Sequence, residues 1–303
     1  MSIQKIKICA GWENSEKITK RLLDQFVIDN SDISDLVFVY DNSYNIIVYN
    51  NYISEQPKEN CKAFLFFHEP SWSGSHQKLF KENITVFGFN DTSYSVPNGK
   101  LIEMPACMFY GGTGPYREGW DFWTYNNLIT LNFNKQQNIS SIVSCLGKDG
   151  DAAPGCIYSK RYNLIKFLIE NNTDFVDFYG WSNEAKHNTL PLNFKKDGLI
   201  NYKFSLCIEN SNEKNYISEK FYDCILTNTI PIYYGCSNIK DIWNFGGYFN
   251  IENIDDSGSV KQLLSYIDTN AEFLYNSMLP DLLELKKQYF QKYNILKVIK
   301  KYI

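Results

Sequence analysis

Several features that would point to a class are missing from this 303-residue chain. No apolar run reaches the roughly 18 residues that a membrane-spanning helix needs. Mean hydropathy is −0.35, and the first residues, MSIQKIKICAGW, lack the apolar core of a secretory signal. Together these lead to the expectation of a soluble protein of the cytoplasm. Positive charge is also short: 30 Lys and Arg against 34 Asp and Glu leave a net charge of −4. That removes the global basic field of a nucleic-acid binder, so no nucleic-acid partner is expected. The eight cysteines (Cys9, Cys61, Cys107, Cys145, Cys156, Cys207, Cys224 and Cys236) contain no C-x-x-C pair, and only three histidines accompany them. This spacing argues against a disulfide framework or a zinc site, and most of the cysteines read as small apolar core residues. Asn83, Asn90, Asn138 and Asn171 open N-x-[ST] sequences. An asparagine-rich chain generates these freely, and without a secretory signal they imply nothing. There is no internal repeat and no low-complexity tract.

What is present is material for two interiors. A hydrophobic fraction of 44% and an aromatic fraction of 16% in a chain of this length suit two α/β domains of ordinary size. The first half alternates apolar runs with polar and helical stretches: strands are expected at 6–10, 36–40, 46–49, 63–67, 85–90 and 99–104, and a helix at 16–26. The Gly-rich, aromatic segment 110–123 reads as a loop. A polar stretch at 132–140 is the expected linker, because 139–145 restarts with a buried-strand signal. The domains are accordingly placed at 1–135 and 136–279. In the second, a helix is expected at 159–170, a strand at 175–179 and a helix at 260–269. Residues 280–303 form a long helical pattern rich in lysine.

The densest information lies in 203–235, KFSLCIENSNEKNYISEKFYDCILTNTIPIYYG. Phe204 to Ile208 suits a buried strand, and Glu209-Asn210-Ser211-Asn212 breaks it. Ser218 can cap a helix with Glu219 and Lys220 in its first turn and Phe221, Tyr222, Ile225 and Leu226 on its inner face. The stretch 229–234 is the next strand. In such a unit the helix amino end lies at the carboxyl ends of the strands, where exposed N–H groups favour an anion and a lysine adds a full positive charge. The structural alternative is a helix with an ordinary acidic first turn and a solvated lysine.

The run from Glu209-Asn210-Ser211 through Tyr216-Ile217-Ser218-Glu219-Lys220 to Thr229-Ile230-Pro231-Ile232-Tyr233-Tyr234-Gly235 resembles the donor-binding signature of the α-1,3/4-fucosyltransferases, the family-10 glycosyltransferases. A pattern of roughly thirty positions with fixed gaps is far more specific than a lone glycine-rich loop. The resemblance is good over the second domain and rests in the first on element order, Glu69 and short segments such as ITVFGFND. It implies the GT-B architecture, two Rossmann-like α/β domains facing a cleft, which the two alternating βα units also suggest. It further implies an inverting enzyme that moves L-fucose from GDP-β-L-fucose to a glycan hydroxyl, forming an α linkage, α-1,3 first. A relative using another nucleotide sugar, and a non-catalytic glycan-binding or scaffold protein of the same fold, are the rival readings.

Inverting transfer needs one general base to take the acceptor proton. Glu69, in His68-Glu69-Pro70-Ser71-Trp72 after the apolar run at 63–67, stands where the resemblance puts that base. Its structural alternative is a carboxylate capping a turn. The family usually presents this glutamate after small or polar residues, whereas His68 precedes it here, and His68 is the reserve candidate. Arg161, at the start of the 159–170 helix, corresponds to an arginine that grips the donor diphosphate, where a guanidinium can bind two phosphate oxygens. Lys160 takes its place if the register is off by one. The resemblance carries over Asn210, Tyr216, Glu219 and Lys220: Lys220 toward the diphosphate, Glu219 toward donor hydroxyls or its own neighbours, Tyr216 and Asn210 shaping the pocket. Ser218 would open a helix whose backbone N–H groups meet the leaving phosphate. Asp149 and Asp151 flank Gly150 in what reads as a turn-rich loop, so no metal site and no essential cofactor are expected. The fixed cations at Arg161 and Lys220 take that role. The terminal helix is expected to pack back across the domains with its charges in water. The sharper reading is a peripheral contact with anionic lipid.

Overall fold

The computed structural model describes residues 3–10, 14–51, 53–70, 84–89, 100–105, 124–143, 155–180, 195–244 and 246–303. The strands of the first half are short apolar runs without polar alternation, the composition of a parallel sheet covered on both faces. β1 (Gln4–Ala10), β2 (Leu36–Phe38), β3 (Ile46–Asn50), β4 (Lys62–Phe66), β5 (Ile84–Gly88) and β6 (Lys100–Glu103) pair in the order β2-β1-β3-β4-β5-β6, every pair parallel. Successive side chains point to opposite faces. Ile6, Ile8, Val48, Phe64 and Phe66 join Ile18, Leu22 and Phe26 of α1 (Ser15–Phe26). Ile47, Tyr49, Leu65 and Phe67 form a second cluster that also takes in Tyr216 from the other half of the chain.

After α2 (Tyr125–Thr130), the second sheet is built from β7 (Gln137–Val143), β8 (Val176–Gly180), β9 (Tyr202–Ile208), β10 (Ile230–Tyr234) and β11 (Phe249–Asn250), in the order β11-β10-β9-β7-β8 and again parallel. The connections carry α3 (Tyr158–Glu170), α4 (Glu219–Leu226) and α5 (Ile239–Ile242). This topology brings the carboxyl ends of the strands and the amino ends of α3 and α4 to one edge of the sheet. α6 (Ser257–Thr269), α7 (Ala271–Lys292) and α8 (Ile295–Tyr302) complete the chain. No helix among the described residues is long and apolar enough to cross a membrane.

Two elements depart from expectation. β7 starts at Gln137, inside the stretch that reads as a linker. Its polar residues have partners: Asn138 Nδ2 donates to Asp268 Oδ1 (2.8 Å) and Ser140 Oγ to Gly198 O (2.6 Å). Satisfied in this way, polar side chains sit in a strand at little cost. The terminal helical pattern is two helices, and the first begins before residue 280. Pro280 lies inside α7, where it removes one N–H donor. Burial of Leu274 and Tyr275 before it and Leu282 and Leu285 after it holds the helix together. Asn294 then breaks the run, caps α8 by accepting from Leu296 N, and donates to Phe26 O (2.7 Å) in the first domain.

The lysines of these helices are solvated only in part: Lys287, Lys292 and Lys301 are exposed, as expected, and Lys286 is not. Lys286 is buried and donates to Asn228 Oδ1, Lys287 pairs with Glu284, and Lys297 and Lys300 pair with Asp32 and Asp35 of the first domain. Lys292 and Lys301 lie over the rings of Trp243 and Tyr302. Aromatic contacts run the same way, Phe290 against Phe26 and Tyr302 edge-on to Phe87. Among the described residues, five other than glycine have positive φ, and all five are asparagine: Asn51, Asn60, Asn172, Asn215 and Asn228. After glycine, this is among the residues that enter the left-handed region most readily.

Candidate functional site

The first-domain side of the site is the ends of β3 and β4. The chain leaves β3 through Asn51 at φ +68°, and its N–H donates to Phe66 O (2.8 Å). The side chain then spans the two residues that follow β4. Asn51 Oδ1 accepts from His68 N (2.9 Å), and Asn51 Nδ2 donates to Glu69 Oε1 (3.2 Å). Burial raises the pKa of Glu69. The Asn51 hydrogen bond works against that shift, Glu219 adds to it, and Lys220 opposes it. His68 is pushed by burial down to about 4, against a smaller upward pull from Glu219, so its ring is neutral at physiological pH and a poor proton acceptor. Of the two candidates, burial moves the Glu69 carboxyl toward holding a proton and the His68 ring away from it.

The second-domain side is built around α4. Ser218 caps the helix by accepting from Lys220 N, as its sequence position suggests. Glu209, one residue past β9, is wholly buried. It takes both the Ser218 N–H (2.7 Å on Oε1) and the Ser218 hydroxyl (2.5 Å on Oε2). Two of the backbone N–H groups at this helix end are therefore already engaged, Ser218 N by the buried Glu209 carboxylate, which needs donors, and Lys220 N by Ser218 Oγ. Tyr233 Oη adds a longer contact to Glu209 (3.4 Å). Gly235 makes the room, since a Cβ there would stand 2.6 Å from Glu209 Cβ and 2.7 Å from Tyr233 Oη.

From Glu209 an alternating chain of charges runs along the helix. Lys220 Nζ lies 3.5 Å from Glu209, 3.4 Å from Glu219 and 3.1 Å from Ser218 Oγ. Glu219 lies 3.9 Å from Lys195, which in turn pairs with buried Asp223. Burial works to raise the Glu219 pKa, but Lys220 and Lys195 more than offset it and hold the carboxyl at about 2. Burial likewise opposes the charge of Lys220, and Glu219 and Glu209 overcome it, so its pKa stands above the usual value. Asp223, with Cys224, means that α4 is buried beyond the four-residue inner face expected from its pattern.

Arg161 projects from α3, buried, and donates to Asn210 Oδ1 (2.6 Å), with its guanidinium 4.9 Å from the Tyr158 ring centroid. It is close enough to Lys220 to lower that lysine's proton affinity. Lys160, one position along and so turned about 100° away, pairs with Asp255 at the surface (2.7 Å). Tyr216 is buried at the seam between the domains, edge-on to Phe89 (4.9 Å). Beside it Asn215 Nδ2 donates to Phe89 O (2.8 Å) and Lys214 pairs with Glu103 (2.9 Å). The loop before α4 thus clasps the first domain, and Glu69 comes within electrostatic reach of Glu219 and Lys220. The fold brings Glu69, Arg161, Asn210, Tyr216, Glu219 and Lys220 to one cleft and leaves Lys160 outside it.

Four participants escape a reading of the sequence. Glu209 looks like a turn residue, Asn51 like the tail of a strand, and Lys195 and Asp223 like unrelated surface charges. One signal was available for the first two: each immediately follows a fully buried strand at the edge where the cleft lies. The segments 110–123 and 149–151 lie outside the described residues.

Residues 134–279 match the family description "Glycosyltransferase family 10 (fucosyltransferase) C-term". Among curated proteins, the chain is 29% identical over 118 residues to the α-(1,3)-fucosyltransferase FucT of Helicobacter pylori, covering 37% of this chain and 24% of that one. It is 26% identical over 236 residues to the α-(1,3)-fucosyltransferase B of Drosophila melanogaster, covering 73% and 49%. The chain spans half or less of the length of the curated relatives it matches first. Among solved structures, an α1,3-fucosyltransferase with GDP-fucose superposes with a TM-score of 0.51 at 18% identity, over 92% of this chain and 81% of that one. The T4 phage β-glucosyltransferase gives 0.54 at 11% identity, over 98% of each. These likenesses establish the fold as GT-B, two parallel-sheet domains facing a cleft.

Proposed function

We propose, on the match of residues 134–279 to the family-10 glycosyltransferase description, that this chain is a fucosyltransferase, moving L-fucose from GDP-β-L-fucose to a glycan hydroxyl with inversion, as an α-1,3 linkage first. Glu69 takes the acceptor's hydroxyl proton as that oxygen forms its bond to the anomeric carbon. On the opposite face the bond to the diphosphate oxygen breaks, and GDP leaves with the electron pair. Arg161 and Lys220 neutralise the growing charge on the diphosphate, as fixed cations in a water-poor site can. Fixed side-chain cations therefore stand where other transferases use a divalent metal, and turnover in excess chelator should match the untreated rate.

The observation that carries this reading is the pairing of two carboxyls with opposite proton affinities across one cleft. Glu69 is shifted up and Glu219 is held at about 2. Such a split suits one group to proton transfer and the other to standing charge. Glu219, ionised at every working pH, faces donor hydroxyls or the positive charge that develops on the sugar.

The test is a thermal-shift and turnover screen over nucleotide sugars, with the linkage of the product read by NMR. Stabilisation by GDP and transfer from GDP-fucose are expected. Selective stabilisation by UDP points to another nucleotide sugar, the alternative left open because Lys220 and Arg161 address the diphosphate and not the base. Glycan binding without turnover of any donor would leave a non-catalytic lectin-like protein.

A further inference from the structure

An amide side chain has two chemically different ends, and at Asn51 the surroundings decide which is which. A backbone N–H can only donate, so the end of Asn51 that meets His68 N at 2.9 Å is the oxygen. The other end, 3.2 Å from Glu69 Oε1, is therefore the NH₂. The residue is 5% exposed and leaves the strand at φ +68°, with its own N–H on Phe66 O, so this orientation has little freedom to change.

We propose that Asn51 is a positioning residue for the base: held by the His68 N–H, its carboxamide grips Glu69 Oε1 and leaves Oε2 for the acceptor hydroxyl. This rests on the reading of Glu69 as base. The same bond favours the ionised carboxylate that a base must be. It acts among groups from every side of the cleft. Glu219 and Lys220 of α4 push Glu69 in opposite directions, and burial pushes it toward the protonated form. The Tyr158 and Tyr216 hydroxyls, both held protonated by their own burial, also feel Glu69. The His68 ring is neutral. Among the described residues, Asn51 and Lys220 are the two groups that favour the ionised carboxylate, and of these Asn51 hydrogen-bonds it.

Two substitutions separate this role from that of a turn. Asp and Gly both tolerate the left-handed backbone. Asn51→Asp keeps an acceptor for His68 N but sets a like charge where the donor was, whereas Asn51→Gly removes both contacts without adding charge. In Asn51→Asp, kcat at neutral pH should fall about tenfold or more while GDP affinity stays within about twofold. The acidic limb of kcat/KM and the ¹³C-carboxyl titration of Glu69, assigned with Glu69→Gln, should both move to higher pH. Asn51→Gly should move them in the same direction by less. If both variants lower Tm and leave the Glu69 titration and the limb in place, Asn51 is a turn residue only and the proposal is wrong. Should the parent protein transfer no sugar from any donor, the fucosyltransferase reading fails by itself, and the carboxyl titration, which needs no substrate, still decides whether Asn51 controls Glu69.

Discussion

Glu69 and Glu219 face one another across the cleft, and the two domains surround them in opposite ways. In the first domain the carboxyl stands among uncharged groups, an asparagine amide, a neutral imidazole and the ends of apolar strands, so burial dominates and its pKa rises. In the second, the carboxyl is the middle member of a chain of alternating charges, Glu209, Lys220, Glu219, Lys195 and Asp223, and the two flanking cations bring it to about 2. One residue type is pushed toward holding a proton in one wall and is held charged in the other. The difference lies in the neighbours, not in burial, since burial pushes both carboxyls upward.

The comparison is broken most severely by removing the proton acceptor. Glu69→Gln should cut the transfer rate by about 10²–10⁴ and leave GDP affinity nearly intact, because the carboxylate acts on the acceptor and not on the nucleotide. Calorimetry with GDP beside steady-state rates checks this; a variant that turns over normally transfers the role to His68. Lys220→Ala and Arg161→Ala attack the other wall. Each should weaken GDP binding as well as rate, by about 2–5 kcal/mol where a phosphate charge is left without its cation. Unchanged GDP affinity in both variants would mean that the charge chain is structural only.

Acid sharpens the contrast in stability. His68 has a folded pKa of about 4 against an ordinary 6.5, so between those values the unfolded chain binds a proton that the folded protein refuses. Stability must fall as pH drops through that interval. Glu219, at about 2 against 4.5, contributes fully above 4.5, and its share is lost as pH falls toward 2. Denaturation midpoints over a pH series should therefore show an upper segment that His68→Phe flattens and a lower one that Glu219→Gln flattens. Equal slopes in parent and variants would refute the assignment. The smallest effect is expected at Lys160, whose ion pair with Asp255 is largely exposed. Lys160→Ala should leave GDP affinity unchanged and stability within about 1 kcal/mol, and a loss of donor binding would put Lys160 in the cleft.

Much of this was legible in the sequence because parallel strands buried on both faces are written as continuous apolar runs. The expected strands at 46–49 and 63–67 fall within one residue of β3 and β4, and Ser218 is a cap that its own type and place announce. What stayed hidden are contacts that a linear reading cannot assemble. Glu209 acquires its meaning from Ser218 nine residues on and Tyr233 twenty-four on. Asn51 acquires its own from residues seventeen and eighteen positions away. A helical start at 280 is misplaced for a local reason: proline commonly opens a helix, and only packing on both sides shows that here it lies inside one.

The return of α7 and α8 to the first domain sets a timetable for the ribosome. Asn294 reaches Phe26 across 268 positions of chain, and Phe290 and Tyr302 supply aromatic faces for Phe26 and Phe87. The half of the molecule synthesised first is therefore the last to be sealed. At about 5–20 residues per second, its apolar flank waits in the open for roughly ten seconds to a minute while the other domain is being made. A chain arrested near residue 270 should be cut by protease within the first domain, and one that includes α7 and α8 should resist. During that interval those aromatic faces are open to whatever shields apolar surface at the tunnel exit.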